Sequence, residues 1–272
     1  MAKMKKKMKG NGGFSILETL IALFMTGIVI SAILGVYANQ HKNWLVQEEV
    51  ADIQQNARAV IGELTKQIRM AGYKLPLGLD GIEAHNTNPD TVVVTYSDNI
   101  SNAPLSANMA SSSAELQCDG QDVTFLHDGQ LAYIFDPDSG GGEFFTITDV
   151  QASPPRLQHG IPLSKAYRTG AIVLSLQHIK YYVDQTDTLH PNLMMKLPGQ
   201  GAAVYAEGVE DLQFRYTMKN GMVVDVPTVA FDIREVSISI TARSSKPDPN
   251  LPGNPYRRRT FFSQVNLRNL SS

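Results

Sequence analysis

The chain has 272 residues, 43% of them hydrophobic and 18% charged, with a formal net charge of -2. That balance excludes a disordered chain, allows one or two domains with a sizeable core, and gives no global electrostatic reason to expect nucleic acid as a partner. The single cysteine, Cys118, excludes an intrachain disulfide and a cysteine zinc cluster; with no activating cation beside it, it reads as a small residue near a strand rather than a reactive thiol.

The charge is unevenly placed. Lys3, Lys5, Lys6, Lys7 and Lys9 crowd the start, and no acid precedes Glu18. From Phe14 to Tyr37 Glu18 is the only charged residue in 24. As a helix that run spans about 36 Å, enough for a hydrocarbon core of about 30 Å. The lysines place its N-terminus on the cytoplasmic side and the bulk of the chain outside.

Three readings of this segment compete. A cleaved signal peptide would use the small-residue spacing of "VYA", Val36 to Ala38, but the apolar run is longer than such segments and contains an acid. A plain signal anchor explains lysines and length, yet leaves Glu18 at a cost of about 2–3 kcal/mol deep in lipid. The third reading supplies a partner. A cut between Gly13 and Phe14 would create an ammonium group four residues before Glu18, on nearly the same helix face. In a bundle of such helices Glu18 can instead meet the amine of a neighbouring subunit. Either pairing offsets much of the burial cost, and the second fixes register as buried polar pairs do in coiled coils.

Gly12–Gly13, then "FSILE" from Phe14 to Glu18, then an apolar run behind a short basic leader, resembles the type IV prepilin cleavage and methylation motif. The resemblance implies cleavage after Gly13 by a membrane-bound prepilin peptidase, N-methylation of Phe14, and an assembly salt bridge through Glu18. It divides the chain into a basic leader at 1–13, a transmembrane and assembly half-helix at 14–37, an amphipathic half-helix at 38–75 and a β-rich head at 76–272.

No proline precedes Pro76. Val46, Val50, Ile53, Ala57, Val60, Leu64, Ile68 and Ala71 form one apolar stripe at helical period, opposite Glu48, Glu49, Asp52, Gln55, Arg58, Glu63 and Lys66. "AGYKLP" stops the helix, with Gly72 as cap. One helix of about 85 Å from Phe14 to Ala71 is expected, its second half lying on a sheet. Gly27, Gly35 and Gly62 each cost up to about 1 kcal/mol in helix propensity. Gly27 and Gly35 are either close-packing points in a bundle or glycines that a lipid-embedded helix tolerates.

After Pro76 the helical period disappears. Strands are expected at Thr91–Tyr96, Asp122–Leu126, Leu131–Phe135, Phe144–Val150, Ala171–Val183, Val209–Met218, Arg234–Ser244 and Thr260–Asn269. In the seventh, Val236, Ile238 and Ile240 alternate with Ser237, Ser239 and Thr241. The fold class is α+β with mostly antiparallel strands. Asp98–Ala114 reads as a small, polar, mobile loop, and Ser245–Arg259 as a proline-rich loop ending in an arginine triplet, either solvated or facing an acidic partner.

"RMAGY" at the helix end, "IKYYV", "VEDLQFRY", the serine-rich strand ending "ARS" and "YRRRTFFSQVNLRNL" resemble PilW-type minor pilins and the related J-type pseudopilins of type II secretion. The fold this implies is pilin-like: a long N-terminal helix, membrane-spanning in its first half, on a mostly antiparallel sheet domain. The function implied is that of a minor pilin in the initiation or tip complex of a type IV pilus. Prepilin peptidase, other major and minor pilins, the assembly platform and membrane lipid would be its partners. The location implied is the bacterial inner membrane with a periplasmic head, and then an extracellular pilus. The alternatives are a type II secretion pseudopilin, with a periplasmic pseudopilus, and a membrane-tethered periplasmic binding domain that never polymerises.

Enzyme signatures are weak. His41, His85, His127, His159, His178 and His190 form no metalloprotease motif, and a nucleophile elbow and a phosphate loop are absent. "DPDSGGGE", Asp136 to Glu143, has oxygen ligands for calcium but lacks the EF-hand spacing and fits an acidic hairpin turn better; "DQTDT", Asp184 to Thr188, is weaker. Phe24, Tyr37 and Trp44 suit packing and a membrane-interface belt better than an electron path. No cofactor, metal or catalytic residue is expected.

Overall fold

The computed structural model describes residues 15–76, 78–97, 102–248, 251–253 and 256–269. The chain divides into two compact units, Met1–Glu49 and Val50–Ser272. The helix α1 runs over Ile16–Met70, within two residues of the expected span. It ends as its sequence asks: the Ala71 N–H donates to the Ile68 carbonyl at 3.1 Å, and Gly72 adopts φ +78°.

The strands that follow are β1 (Ile82–His85) and β2 (Thr91–Tyr96), then β3 (Asn102–Pro104), β4 (Leu116–Gln117), β5 (Leu131–Asp136), β6 (Gly141–Ala152), β7 (Pro155–His159) and β8 (Ile172–Ser175). After these come β9 (Gln177–Asp184), β10 (Asn192–Lys196), β11 (Ala202–Glu207), β12 (Val209–Met218), β13 (Val223–Val224), β14 (Ile233–Arg243) and β15 (Arg258–Asn266). They form a five-stranded sheet in the order β1-β2-β9-β10-β11, a four-stranded sheet β13-β12-β14-β15, and a six-stranded sheet β3-β8-β5-β6-β7-β4. Among the described residues every pairing is antiparallel. The protein is therefore α+β, a long helix on antiparallel sheets.

Within Val50–Ser272 the helix stripe does what its period requires. Ile53, Ala57, Val60, Leu64 and Ile68 are buried, while Asp52, Gln55, Arg58 and Lys66 are exposed. Val60, Leu64, Ile68 and Ala71 enter a core with Val92 and Val94 of β2, Tyr181 of β9, Leu212 and Phe214 of β12, and Val236, Ile238 and Ile240 of β14. Each large aliphatic side chain in that core contributes about 1.5–3 kcal/mol by leaving water. Higher on the helix, Ile53 and Ala57 meet Ala242 and Phe261. The two sheets are also stitched to each other. The Asp90 N–H donates to the Leu212 carbonyl at 2.8 Å, and the buried Asp90 carboxylate accepts from the Phe214 N–H at 2.8 Å.

The six-stranded sheet is an insertion between β2 and β9, with a core of its own. Ala132, Ile134, Phe145, Ile147, Leu157 and Val173 pack there with Leu116, Cys118, Leu126 and Tyr167. It leans on the five-stranded sheet where the Phe144 ring meets His178 at 5.0 Å and where Gly129 meets Gly199. At Gly199, φ is +68° and a Cβ would lie 2.5 Å from the Gly129 carbonyl oxygen, so only glycine allows the approach.

Several expectations are corrected. Asp122–Leu126 is not a strand: the Asp122 carboxylate accepts from the Thr124 N–H and hydroxyl at 2.9 and 2.6 Å, a local turn that competes with a ladder. Ala171–Val183 is not one strand but β8 and β9, in different sheets, divided at Leu176. The polar loop 98–114 is in part core: Ala103 lies in β3, and Leu105 and Met109 are buried, while residues 98–101 lie outside the described residues. Within the proline-rich loop, Arg257 pairs with Asp248, and Arg258 donates to Glu210 at 2.8 Å and opens β15, so two of the three arginines are held by the head itself. The short strands β1, β3, β4, β7, β10, β11 and β13 are additional to those expected.

Candidate assembly helix and its anchorage

The apolar half of α1 is fully exposed. Its most apolar 18-residue window has a mean hydropathy of 2.4 and is 0% buried, so this helix is long and apolar enough to cross a membrane by length and composition. Ile16, Leu20, Leu23, Phe24, Ile28, Ile33 and Leu34 all face out. The exposed apolar surface surrounds the helix rather than forming one stripe, which asks for lipid or other helices on all sides.

Glu18 lies in the first turn of this helix. Its N–H donates to the Ser15 carbonyl at 2.9 Å. "SILE", Ser15 to Glu18, has the spacing of a capping box, and the macrodipole favours an acid at a helix N-terminus. This spacing was legible in the sequence. Gly13 and Phe14, the expected cleavage and methylation positions, lie outside the described residues.

Where the apolar run ends, Tyr37, His41 and Trp44 form a ladder on one helix face. Tyr37 and His41 stack at 6.2 Å with an interplanar angle of 2°, and His41 and Trp44 at 6.0 Å with 18°. The spacing of four and three residues puts all three rings on one side. His41 was not anticipated as the middle rung. Phe24 takes no part in this ladder. Around Gly27 and Gly35 an added Cβ meets nothing within 4 Å, so neither glycine is needed for packing within the chain.

Beyond Val50 the helix is anchored by polar contacts as well as by its stripe. The Tyr96 hydroxyl donates to Gln67 Oε1 at 2.8 Å, Gln67 Nε2 donates to Glu63 Oε1 at 2.7 Å, and the Tyr181 hydroxyl reaches the same oxygen at 3.3 Å. Glu63 was expected on the solvated face; it is half-buried and ties α1 to β9. Burial and Glu63 push the Tyr181 hydroxyl well above its usual range, which keeps it a donor. The signal was present in the sequence as Glu63 and Gln67 at i, i+4, but a partner in β9 lies far along the chain.

The other residues singled out are engaged locally. Asp136 accepts from the Ser139 hydroxyl at 2.8 Å and from Lys165 Nζ at 3.2 Å. Glu143 accepts from Ser164 N at 2.9 Å and from the Tyr167 hydroxyl at 2.9 Å. The two carboxylates are thus spent on protein donors around the β5–β6 hairpin. Gly140 takes the turn's positive φ of +66°, and the Tyr133 ring and Ile134 carbonyl cover Gly142 so closely that no side chain fits. Among the described residues no group of three or more His, Cys, Asp or Glu is placed to hold a metal ion. Cys118 is buried, and burial with Asp119 nearby pushes its thiol up to about 11.

The sequence matches no protein-family model and no curated protein.

Proposed function

We propose that this protein is a minor pilin of a type IV pilus, made as a prepilin, cut after Gly13, methylated at Phe14 and assembled through its N-terminal helix. One observation carries the reading: the apolar half of the helix, exposed all round, holds a single charge, Glu18, in its first turn, four residues after the Gly-Phe pair of the resembled cleavage motif. An anchor alone needs the apolar length but not the acid. In a filament the acid of one subunit meets the new amine of the next, which repeats the same contact along an open, head-to-tail helical array. The resemblance of the head segments to PilW-type minor pilins supports a place in the initiation or tip complex. Before assembly the helix spans the inner membrane with its N-terminus in the cytoplasm, and Tyr37, His41 and Trp44 sit at the periplasmic lipid boundary. Prepilin peptidase, sibling pilins and the assembly platform are its partners.

Glu18→Ala tests the assembly role. The helix stays apolar, so membrane fractionation should be unchanged while incorporation into sheared pilus fractions falls. A variant incorporated at the wild-type level removes the proposed role of Glu18.

A further inference from the structure

The outer face of the four-stranded sheet carries a trough that the assembly reading does not use. Its floor is β14, where Ser237 and Ser239 point away from the core that Val236, Ile238 and Ile240 fill. Ladder register places Gln213 and Phe262 on either side of Ser239, and Arg215 and Gln264 on either side of Ser237. Two small side chains between four long ones make a groove, with a volume of about 700 Å³. Its walls stand two strand spacings apart, about 10 Å. That volume is within the roughly 300–1,000 Å³ usual for small-molecule sites.

The chemistry of the walls selects the occupant. Phe262 is 76% exposed, in the middle of a strand whose neighbours on the same face are polar. Among the described residues, the hydroxyls of Ser237 and Ser239 and the amide of Gln264 make no hydrogen bond. Gln213 Nε2 donates one hydrogen to Asp211 at 2.9 Å, and its carbonyl oxygen accepts from no described donor. Amides and hydroxyls both donate and accept. Arg215 faces Asp225 at 3.6 Å, so the one cation in the trough already has a counter-charge. An aromatic wall, a floor of hydroxyls and flat polar side chains match a ring with one apolar C–H face and a rim of hydroxyls. We propose that this trough binds a neutral saccharide, with a pyranose ring against Phe262 and its hydroxyls on Gln213, Ser239 and Gln264.

The test uses the full chain in a phosphocholine detergent, whose headgroup carries no sugar. Methyl glycosides of glucose, galactose, mannose and N-acetylglucosamine are the probes, read by saturation transfer from protein to sugar protons. The expected result is transfer to the C–H protons of at least one glycoside, with binding about tenfold weaker in Phe262→Ala and in Ser239→Tyr, which fills the floor. Phe262 is exposed, so its variant should melt as the wild type does, which keeps the test clear of misfolding. The proposal is overturned by no transfer from any glycoside, or by equal transfer in both variants. A lower oligomeric mass for Phe262→Ala in light scattering, without a sugar signal, would likewise overturn it and mark the face as a protein interface.

Discussion

Tyr96 and Gln177 stand opposite each other in one antiparallel ladder, and the whole insertion runs between them. The chain leaves the five-stranded sheet at the end of β2 and re-enters it at the adjacent position of β9. A short turn can close that gap, because the ends are already strand neighbours. Replacing residues 98–176 by a tight Asn-Gly turn should leave a head that unfolds in one cooperative transition. Circular dichroism melting checks this, and a broad, non-cooperative transition would show that the insertion completes the main core.

The chain of contacts Tyr96–Gln67–Glu63–Tyr181 should behave as a unit. Tyr96→Phe leaves Gln67 Oε1 buried without its donor, and the expected cost is about 1–3 kcal/mol. Gln67→Leu removes both the acceptor of the Tyr96 hydroxyl and the donor to Glu63, and should also destabilise. The double variant should lose less than the two losses added together, since the hydrogen bond the two residues share is lost only once. Denaturant unfolding of the four proteins closes the cycle, and strict additivity would mean the hydrogen bond is not formed.

Two carboxylates should show opposite pH behaviour. The Arg258 hydrogen bond and charge hold Glu210 below the usual carboxylate range. Its stabilisation is present above the unfolded value near ~4.3 and is lost as pH falls through the folded one. Burial raises the Asp90 carboxyl instead. Its contribution is complete below the unfolded value near ~3.9 and is lost as pH rises through the folded one. Relative to the wild type, Glu210→Gln should therefore grow less stable as pH rises from acid towards neutral, and Asp90→Asn more stable. Melting temperatures across that range check both signs.

Cys118 should be silent in the native protein. Its thiol is 0% exposed and raised by burial to about 11. A thiol-reactive dye should label the native chain negligibly and the denatured chain stoichiometrically. Fast native labelling would mean that the insertion core opens easily.

What the sequence could and could not reveal follows from range. The end of α1 was legible because period, stripe and Gly72 are local signals, β2 because its run of β-branched residues is, and β12 and β14 because their apolar alternation is. The insertion was not legible. β8 and β9 read as one apolar run, and nothing local says that Leu176 divides two sheets. The part of Val123 and Leu126 was misassigned for a similar reason: apolar residues marked burial correctly, but the Asp122 turn decided the backbone. In the first half of α1 the apolar length and Glu18 were readable directly. The partners of Glu63 in β9 and of Gln67 in β2 were not, because they depend on how the sheet arrives beneath the helix.

The central claim is that Glu18 serves a subunit whose N-terminus is made by cleavage at Gly13. The most direct measurement is N-terminal mass spectrometry of the protein from its native cells. The account requires a chain that begins at N-methylated Phe14. A chain beginning at Asn39, or one that keeps its lysine leader, would contradict it.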